Sequence, residues 1–311
     1  MTAIRIGTRG SKLAMWQANW VSQQLHLRGI ETELVTISTH GDVSTESLRQ
    51  VGGQGVFVKE IQRELVAGKV DVAVHSLKDL PTQPVSELLL AAVPARETTD
   101  DCLVSRTGKL FDQLPKGATV GTGSLRRAAQ LLAWRQDITI ADIRGNVDSR
   151  LRKLDEGRYD AIVLAAAGMT RLKLWERVTE CLPKDRILPA IGQGALGLEC
   201  RAEDMATQSA LKMLDDAQTH LCVTAERALL GHLLAGCLAP VAALGLVQDN
   251  QLSLTARVIS RDGRQQINDS KCVQLDDLSQ LRQARDLGAS LAKQLLQQGA
   301  AELISQARDD L

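Results

Sequence analysis

The chain has 311 residues, of which 44% are hydrophobic and 24% are charged, a composition typical of a water-soluble globular protein. Lys and Arg together number 37, as do Asp and Glu, so the balanced charge excludes a bulk polycation that would bind nucleic acid. Aromatic residues make up only 2% of the chain, which argues against base stacking on single strands.

No run of about 18 apolar residues occurs, so the sequence predicts no transmembrane helix. The N-terminal stretch MTAIRIGTRGSKLA lacks the apolar core of a signal peptide. We therefore expect a cytoplasmic protein that contacts neither membrane nor nucleic acid.

Short apolar stretches alternate with helical patterns through the first hundred residues. The predicted strands cover 3–8, 31–38, 70–77 and 88–95. The predicted helices cover 11–29 and 56–69. Strands separated by helices favour parallel pairing in a doubly wound α/β domain.

The same alternation then starts again, which predicts a second α/β domain of similar size. Its predicted strands cover 118–124, 138–145 and 159–168, and its predicted helices cover 125–135 and 147–158. The polar stretch 96–102 is predicted to cross between the two domains, and 188–201, with a short strand, is predicted to cross back.

From about residue 217 the pattern changes to a small α+β domain. It begins with a helix over 218–236, continues with a hairpin turning at Asp249-Asn250, and ends in a long helical segment over 278–307. The predicted boundaries are therefore 1–95 with 195–213, then 99–189, then 217–311.

Six cysteines are scattered along the chain with no CxxC pair and no Cys/His cluster. This spacing makes a disulfide framework or a structural zinc site unexpected, and no metal is predicted. Cys237 differs from the others because it lies in the turn-like sequence LLAGCLAP, an uncommon place for a buried, inert thiol.

The stretch GTGSLRR predicts an anion site where a strand runs into a helix. Ser124 is placed to cap that helix, and Arg126 and Arg127 add forked donors suited to carboxylates. Ligands of open α/β sheets bind beyond the carboxyl ends of strands. Other predicted strand ends carry residues of the same kind, which are expected to line the same crevice. These residues are Arg9, Ser11, Arg144, Arg150 and Arg171.

A second polar cluster follows the predicted strand VDVAVHSL. Ser76, Lys78 and Asp79 come at its carboxyl end, where an acid beside a lysine could stabilise a cation or transfer a proton. His75 is interpreted as a packing residue. The glycine-rich stretch VGGQGVFVKE predicts a mobile lid in which Phe57 closes on a ligand.

These residues alone leave several functions open. Two α/β lobes with such arginines could form a binding module for a dicarboxylate or an oxyanion, which would need neither Asp79 nor Cys237. A bilobal effector domain of a transcription factor is disfavoured because no helix-turn-helix segment or basic arm is found. A thiol hydrolase would pair Cys237 with His232, but a spacing of five does not place both on one helical face.

Together the motifs resemble the porphobilinogen deaminase (hydroxymethylbilane synthase) family, in order and over essentially the whole chain. The most specific of them are HSLKDLP, GTGSLRR, RGNVDSRL and IGQGALG, followed by TAERALL and AGCLAP. The chain departs from the usual pattern at Gln54, Gly123 and Ala235, but none of these changes removes a residue that the chemistry needs.

The resemblance implies two lobes similar to type II periplasmic binding proteins, a small α+β C-terminal domain, and a dipyrromethane cofactor joined to Cys237 by a thioether. Four porphobilinogen molecules would be added to this primer with loss of ammonia, and 1-hydroxymethylbilane would be released by a monomeric enzyme. The product would pass to uroporphyrinogen-III synthase.

The resemblance also implies roles for individual residues. Asp79 matches the catalytic acid. The positions matching cofactor contacts are Ser76, Lys78, Ser124, Arg126, Arg127 and Arg150. The positions matching substrate binding, chain elongation or the lining of the site are Arg9, Ser11, Phe57, Arg144, Arg171 and Gln193.

Overall fold

The computed structural model describes residues 3–37, 56–233, 239–276 and 279–309, without the side chains of residues 56, 57, 308 and 309. Its strands, in chain order, are β1 (Ile4–Thr8), β2 (Thr32–Thr36), β3 (Val72–Ser76), β4 (Leu88–Ala92), β5 (Asp101–Ser105), β6 (Thr119–Gly121), β7 (Thr139–Ala141), β8 (Ala161–Ala165), β9 (Glu180–Cys181), β10 (Leu196–Arg201), β11 (Val241–Gln248), β12 (Gln251–Ile259) and β13 (Gln266–Gln274). Its α-helices are α1 (Lys12–His26), α2 (Val56–Val66), α3 (Leu125–Trp134), α4 (Val147–Asp155), α5 (Ala166–Arg171), α6 (Met205–Lys212), α7 (Ala217–His232), α8 (Gln280–Gln297) and α9 (Ala300–Asp309).

The chain packs into two compact units, each made of two separate segments. The first unit contains residues 1–97 and 195–220, and the second contains residues 98–194 and 221–311. The division into three domains stays a prediction. Among the described residues, no helix is both long enough and apolar enough to cross a membrane.

The first unit is built on a five-stranded sheet in the order β2-β1-β3-β10-β4. Strands β1, β2 and β3 pair in parallel, as predicted, whereas β10 runs antiparallel to both β3 and β4. The expectation of parallel pairing is therefore confirmed for β1, β2 and β3 and is wrong for β4, which pairs antiparallel with β10. Strand β10 enters the sheet from residue 195, after a long excursion of the chain, so no helical crossover obliges it to run parallel.

One face of this sheet buries the apolar side of α1. Ala18, Val21 and Leu25 are fully buried against strand residues such as Ile6 and Val72. Their spacing of three and four residues is the helical periodicity that predicted α1 from the sequence. Together these side chains form the main core of the first unit.

An ion-paired cluster ties β1 and β10 to the turn before β3. The Asp71 carboxylate accepts hydrogen bonds from Arg5 Nη2 at 2.8 Å and from Arg201 Nη2 at 2.8 Å. Burial alone would raise the pKa of Asp71, but the hydrogen bonds from both guanidiniums lower it to about 2. The carboxylate therefore stabilises the folded state in its ionised form.

We expect Asp71→Asn to lower the free energy of unfolding by about 2 kcal/mol at neutral pH, since one pKa unit corresponds to about 1.4 kcal/mol. A lowered folded-state pKa gives stability that is present above pH 4 and is lost as the pH falls towards 2. Urea denaturation of both proteins across this range should therefore show a difference in the free energy of unfolding that disappears as the pH approaches 2. A difference that persisted unchanged at pH 2 would contradict this origin.

The second unit contains a five-stranded sheet in the order β7-β6-β8-β5-β9. Strands β6, β7 and β8 are parallel, whereas β5 is antiparallel to β8 and β9. The prediction of a polar crossing over 96–102 is wrong for the last two residues of that stretch. Asp101 and Cys102 belong to β5 and are buried.

The predicted strand 159–168 is too long. The strand ends at Ala165, and the next residues form α5, because alanine favours the helix and is uncommon in strands. The strand itself is central in its sheet, with Ile162 and Val163 fully buried. The shorter strand places Arg171 at the end of α5.

The rest of the second unit is an antiparallel sheet, β11-β12-β13, packed against α7, α8 and α9. The hairpin is confirmed: Gln248 pairs with Gln251, and Asp249 and Asn250 have φ values of 50° and 57°. Such positive values define the type I′ turn that asparagine and aspartate tolerate. Strand β13 was not anticipated, and the long helical segment is divided at Gly299, whose φ is 100°.

Candidate active site

In the first unit, two groups of predicted site residues lie at the same edge of the sheet. Strands β1 and β3 run parallel, so their carboxyl ends share that edge. Arg9 and Ser11 follow β1, and Ser76, Lys78 and Asp79 follow or end β3. The topology therefore brings together residues that are about 65 positions apart in the sequence.

Helix α1 connects these two groups. Ser11 caps its N-terminus by accepting a hydrogen bond from Ala14 N at 3.4 Å. One turn further on, the buried Gln17 donates from Nε2 to Ser76 Oγ at 2.9 Å. Both serine hydroxyls thus take part in local structure that fixes the ends of β1 and β3.

Asp79 belongs to a short 3-10 turn, Leu77–Asp79, that ends β3. Leu77 is buried and donates its N–H to Ala195 O at 3.0 Å, which anchors the turn to the residue before β10. The Asp79 side chain is exposed, and Lys78 beside it is half-buried. The turn therefore presents a carboxylate to solvent from a backbone that is held by a buried neighbour.

His75 precedes this turn and is buried, which confirms its interpretation as a packing residue. Its Nε2 lies 2.9 Å from Glu199 Oε2, and Gln62 Nε2 donates to both oxygens of Glu199, at 3.2 and 3.0 Å. The three side chains join β3, β10 and α2. Neither Glu199 nor Gln62 was predicted from the sequence to have a polar role here.

In the second unit, the turn after β6 has the predicted form of a capped helix. Ser124 Oγ accepts from Arg127 N at 3.4 Å and so caps α3. Arg126 and Arg127 follow within the first turn of the helix. Both side chains are buried, with 5% and 6% of their surface exposed, so they are not solvated arginines on a helix face.

Asp101 holds both guanidiniums. Arg127 donates to Asp101 Oδ1 from Nε at 2.9 Å and from Nη2 at 2.6 Å, and Arg126 Nη2 lies 2.7 Å from Asp101 Oδ2. The carbonyls of Leu188 and Val163 accept from the remaining Nη1 atoms, at 2.6 and 3.0 Å. We call Asp101, Arg126 and Arg127 the arginine cluster.

The Asp101 carboxylate stays ionised in spite of its burial. Desolvation on its own would raise the pKa of Asp101, but the charges and hydrogen bonds of Arg126 and Arg127 lower it to about 2. Burial also lowers the pKa of Arg126, and Asp101 opposes that effect. Two cations therefore face one buried carboxylate at the N-terminus of a helix, where the backbone dipole also favours an anion.

Gln193 and Arg171 belong to the same neighbourhood. The fully buried Gln193 donates from Nε2 to Asp101 Oδ1 at 3.0 Å and to Thr99 O at 2.7 Å. Arg171 Nη2 donates at 2.7 Å to the carbonyl oxygen of Gly194, the residue that follows Gln193. Arg126, Arg127 and Gln193 are thus linked through Asp101, and Arg171 bonds to the residue that follows Gln193.

Arg144 and Arg150 lie in and after the turn between β7 and α4. Arg144 Nε donates to Asp142 Oδ2 at 2.8 Å, and Arg150 Nε donates to Gly145 O at 2.8 Å. Gly145 has a φ of 111°, and a Cβ there would lie 2.1 Å from Ser149 Oγ, so the turn requires glycine. Because β7 is parallel to β6, this turn lies at the same sheet edge as Ser124.

Asp101 is the site residue that sequence reasoning missed. It was assigned to a polar crossing, although the apolar residues Cys102, Leu103 and Val104 that follow it could have indicated a strand. Cys237, residues 51–55 of the glycine-rich stretch and the side chain of Phe57 lie outside what the structure describes. Within the described part of the chain, no group of three or more His, Cys, Asp or Glu could hold a metal ion.

The chain matches two family models that together span most of its length. Residues 4–209 match "Porphobilinogen deaminase, dipyromethane cofactor binding domain", and residues 220–297 match "Porphobilinogen deaminase, C-terminal domain". Among solved structures, a periplasmic substrate-binding protein of an ABC transporter from Coxiella burnetii covers 70% of this chain and 93% of its own, with 15% identity and a TM-score of 0.44. That likeness is too remote to decide anything about the fold.

Curated relatives are similar over nearly the full length. A porphobilinogen deaminase from Geobacter sulfurreducens is 46% identical over 98% of this chain and 95% of its own. One from Syntrophotalea carbinolica is 47% identical over 98% of this chain and 96% of its own. The chain belongs to the porphobilinogen deaminase family.

Proposed function

We propose that this protein is a hydroxymethylbilane synthase, which condenses porphobilinogen stepwise onto a dipyrromethane primer and releases ammonia and then the linear tetrapyrrole. The observation that carries the proposal is the match of both family models, in order, over residues 4–209 and 220–297. The arginine cluster adds physical support. It holds two buried cations side by side at the start of α3, and such cations suit a ligand with several carboxylates.

The residues present fit a dipyrromethane, whose rings carry acetate and propionate groups. Arg126 Nε is buried and has no hydrogen-bond partner among the described residues, which leaves a donor for a ligand carboxylate. We propose that Arg126, Arg127, Ser124 and Arg150 bind the carboxylates of the cofactor, that Ser76 and Lys78 are further cofactor contacts, and that Cys237 is its covalent attachment point. When bound, the cofactor supplies a carbon nucleophile, the free α-position of its terminal pyrrole.

Asp79 is proposed to carry the catalytic step. Loss of ammonia from porphobilinogen leaves an electron-poor ring, and carbon–carbon bond formation puts positive charge on pyrrole nitrogen. The exposed carboxylate of Asp79 can lie beside that charge and stabilise it as it develops. It can also pass a proton to the departing amine and accept the proton that the α-carbon loses.

The remaining arginines are proposed to bind the carboxylates of incoming substrate and of the growing chain. Arg144 follows β7, and Arg9 and Ser11 follow β1, so each of them lies at the carboxyl edge of its sheet. Arg171 and Gln193 would act beside the arginine cluster, and Phe57 would cover the bound substrate. A cytoplasmic monomer that passes its product to uroporphyrinogen-III synthase completes the proposal.

The proposal is tested by the intact mass of the denatured protein. The mass should exceed 33.7 kDa by that of two linked pyrroles, and acidified Ehrlich's reagent should colour the protein directly. Incubation with porphobilinogen should release ammonia and add substrate masses stepwise. An unmodified mass in protein that turns over porphobilinogen would refute the primer, and absence of turnover by loaded protein would favour a carboxylate-binding module.

The two proposed classes of arginine should differ when each is changed to leucine. Arg126→Leu or Arg127→Leu should leave most of the protein without the added mass. Each change removes donors from the cofactor site and also removes one of the two ion pairs of the buried Asp101. Arg171→Leu should keep the cofactor and accumulate species with one or more added substrates. Mass spectra of the three variants check this, and identical spectra would remove the distinction.

A further inference from the structure

Asp101 contacts three residues that are proposed to bind the cofactor or substrate, although it was not itself predicted to be in the site. Its side chain is completely buried. Oδ1 accepts from Arg127 Nε and Nη2 and from Gln193 Nε2, at 2.9, 2.6 and 3.0 Å, and Oδ2 lies 2.7 Å from Arg126 Nη2. One carboxylate therefore sets the positions of two guanidiniums and one amide.

The position of Asp101 in the fold explains how it can do this. Asp101 is the first residue of β5 and pairs with Ala165, the last residue of β8, so its backbone is fixed by a central strand. The arginines come from α3, and Gln193 comes from a segment more than 60 residues further along the chain. The carboxylate is the point at which these three parts of the chain meet.

We propose that Asp101 is a positioning residue for the cofactor site. It holds Arg126 and Arg127 side by side so that Arg126 Nε, which is buried and unbonded within the described part of the chain, remains directed to a ligand carboxylate. This role rests on the proposed function. It predicts that the geometry of Asp101, and not only its charge, determines whether the cofactor is retained.

The chemistry of asparagine makes the distinction testable. The aspartate offers two acceptor oxygens to four N–H donors, whereas asparagine of the same shape has one acceptor and one NH₂ group. The NH₂ group would face either Arg126 or the donors of Arg127 and Gln193, and two buried cations would lose the negative charge between them. Both guanidiniums should therefore move from their positions.

The chain contains a matched control in Asp71. That carboxylate also lies between two arginines, Arg5 and Arg201, at 2.8 Å from each, and its pKa is also lowered to about 2. Its partners are not proposed to bind cofactor or substrate. Asp71→Asn thus removes the same kind of ion-paired carboxylate from the same protein without touching the arginine cluster.

The experiment compares the cofactor-loaded fraction of purified Asp101→Asn, Asp71→Asn and unchanged full-length protein by intact mass, together with their melting temperatures. We expect both variants to melt earlier. Asp71→Asn should stay loaded, and Asp101→Asn should lose loading by about tenfold or more, the effect of losing one hydrogen bond between charged groups. Equal loading of folded Asp101→Asn and the unchanged protein would overturn the proposal.

A second variant covers the case in which Asp101→Asn does not fold. Asp101→Glu keeps the charge and moves the carboxylate by one methylene, so we expect folded protein with reduced loading, and full loading would overturn the proposal. Failure of the proposed function has a different signature. In that case the unchanged protein itself would carry no added mass, whichever residue stands at position 101.

Discussion

Asp79→Asn should keep the fold and the bound cofactor and slow tetrapyrrole formation by about 10²–10⁴-fold, the range typical of losing a catalytic acid–base group. The side chain is exposed at the end of a short turn, so its replacement by an amide of the same shape disturbs no buried contact within the described part of the chain. What is lost is the negative charge beside the developing cation and the capacity to move protons.

The measurement is the initial rate of product formation by protein whose loaded fraction has been determined by mass. Glu87→Gln is a suitable control, because Glu87 is another exposed carboxylate of the first unit and precedes β4 instead of following β3. The control should turn over at the unchanged rate. If loaded Asp79→Asn did the same, Asp79 would have no catalytic role.

Cys237→Ser should give folded protein that lacks the added mass and the Ehrlich colour completely. A serine hydroxyl is not a thiolate and has no comparable nucleophilicity at neutral pH, so the thioether cannot be replaced by the corresponding ether. Loss of the primer should abolish turnover, since no acceptor remains for the first porphobilinogen.

Two other cysteines serve as matched controls for this change. Cys181 and Cys272 are exposed, so Cys181→Ser and Cys272→Ser change an accessible thiol in the same unit of the protein. Both variants should retain the added mass. Retention of the mass in Cys237→Ser, or its loss in a control, would place the attachment elsewhere.

Much of the fold could be predicted because local patterns match local structure. The apolar spacing of α1, the glycine-ended helices and the Asp249-Asn250 turn are all determined by residues close in sequence. Strand β13 could not be found in this way, since its residues alternate only between half-buried and exposed, and its sequence QINDSKCVQ has few apolar positions. Likewise, the antiparallel direction of β10 depends on where the chain returns from the second unit.

The candidate site shows the same limit. Arg126 and Arg127 could be found because arginines at a strand-to-helix junction indicate anion binding. Asp101 could not, since it precedes them by about 25 residues and its role depends on burial in a β-strand that pairs antiparallel with β8. An ion pair formed across such a separation has no periodicity, and the sequence gives no direct sign of which acid faces which base.

Hydrogen bonds at Arg257 on strand β12 have a consequence for cooperativity within the second unit. Arg257 Nη1 donates to Gln130 Oε1 and to Arg186 O, and Nη2 donates to Asp185 O. Gln130 lies on α3, the helix that carries Arg126, and its Oε1 also accepts from Leu188 N. All three acceptors are neutral amide oxygens, so these hydrogen bonds between the C-terminal sheet and its neighbours do not have a carboxylate as acceptor. Substitutions that loosen the C-terminal sheet should therefore disturb the arginine cluster as well, since Arg257 connects this sheet to the helix that carries Arg126.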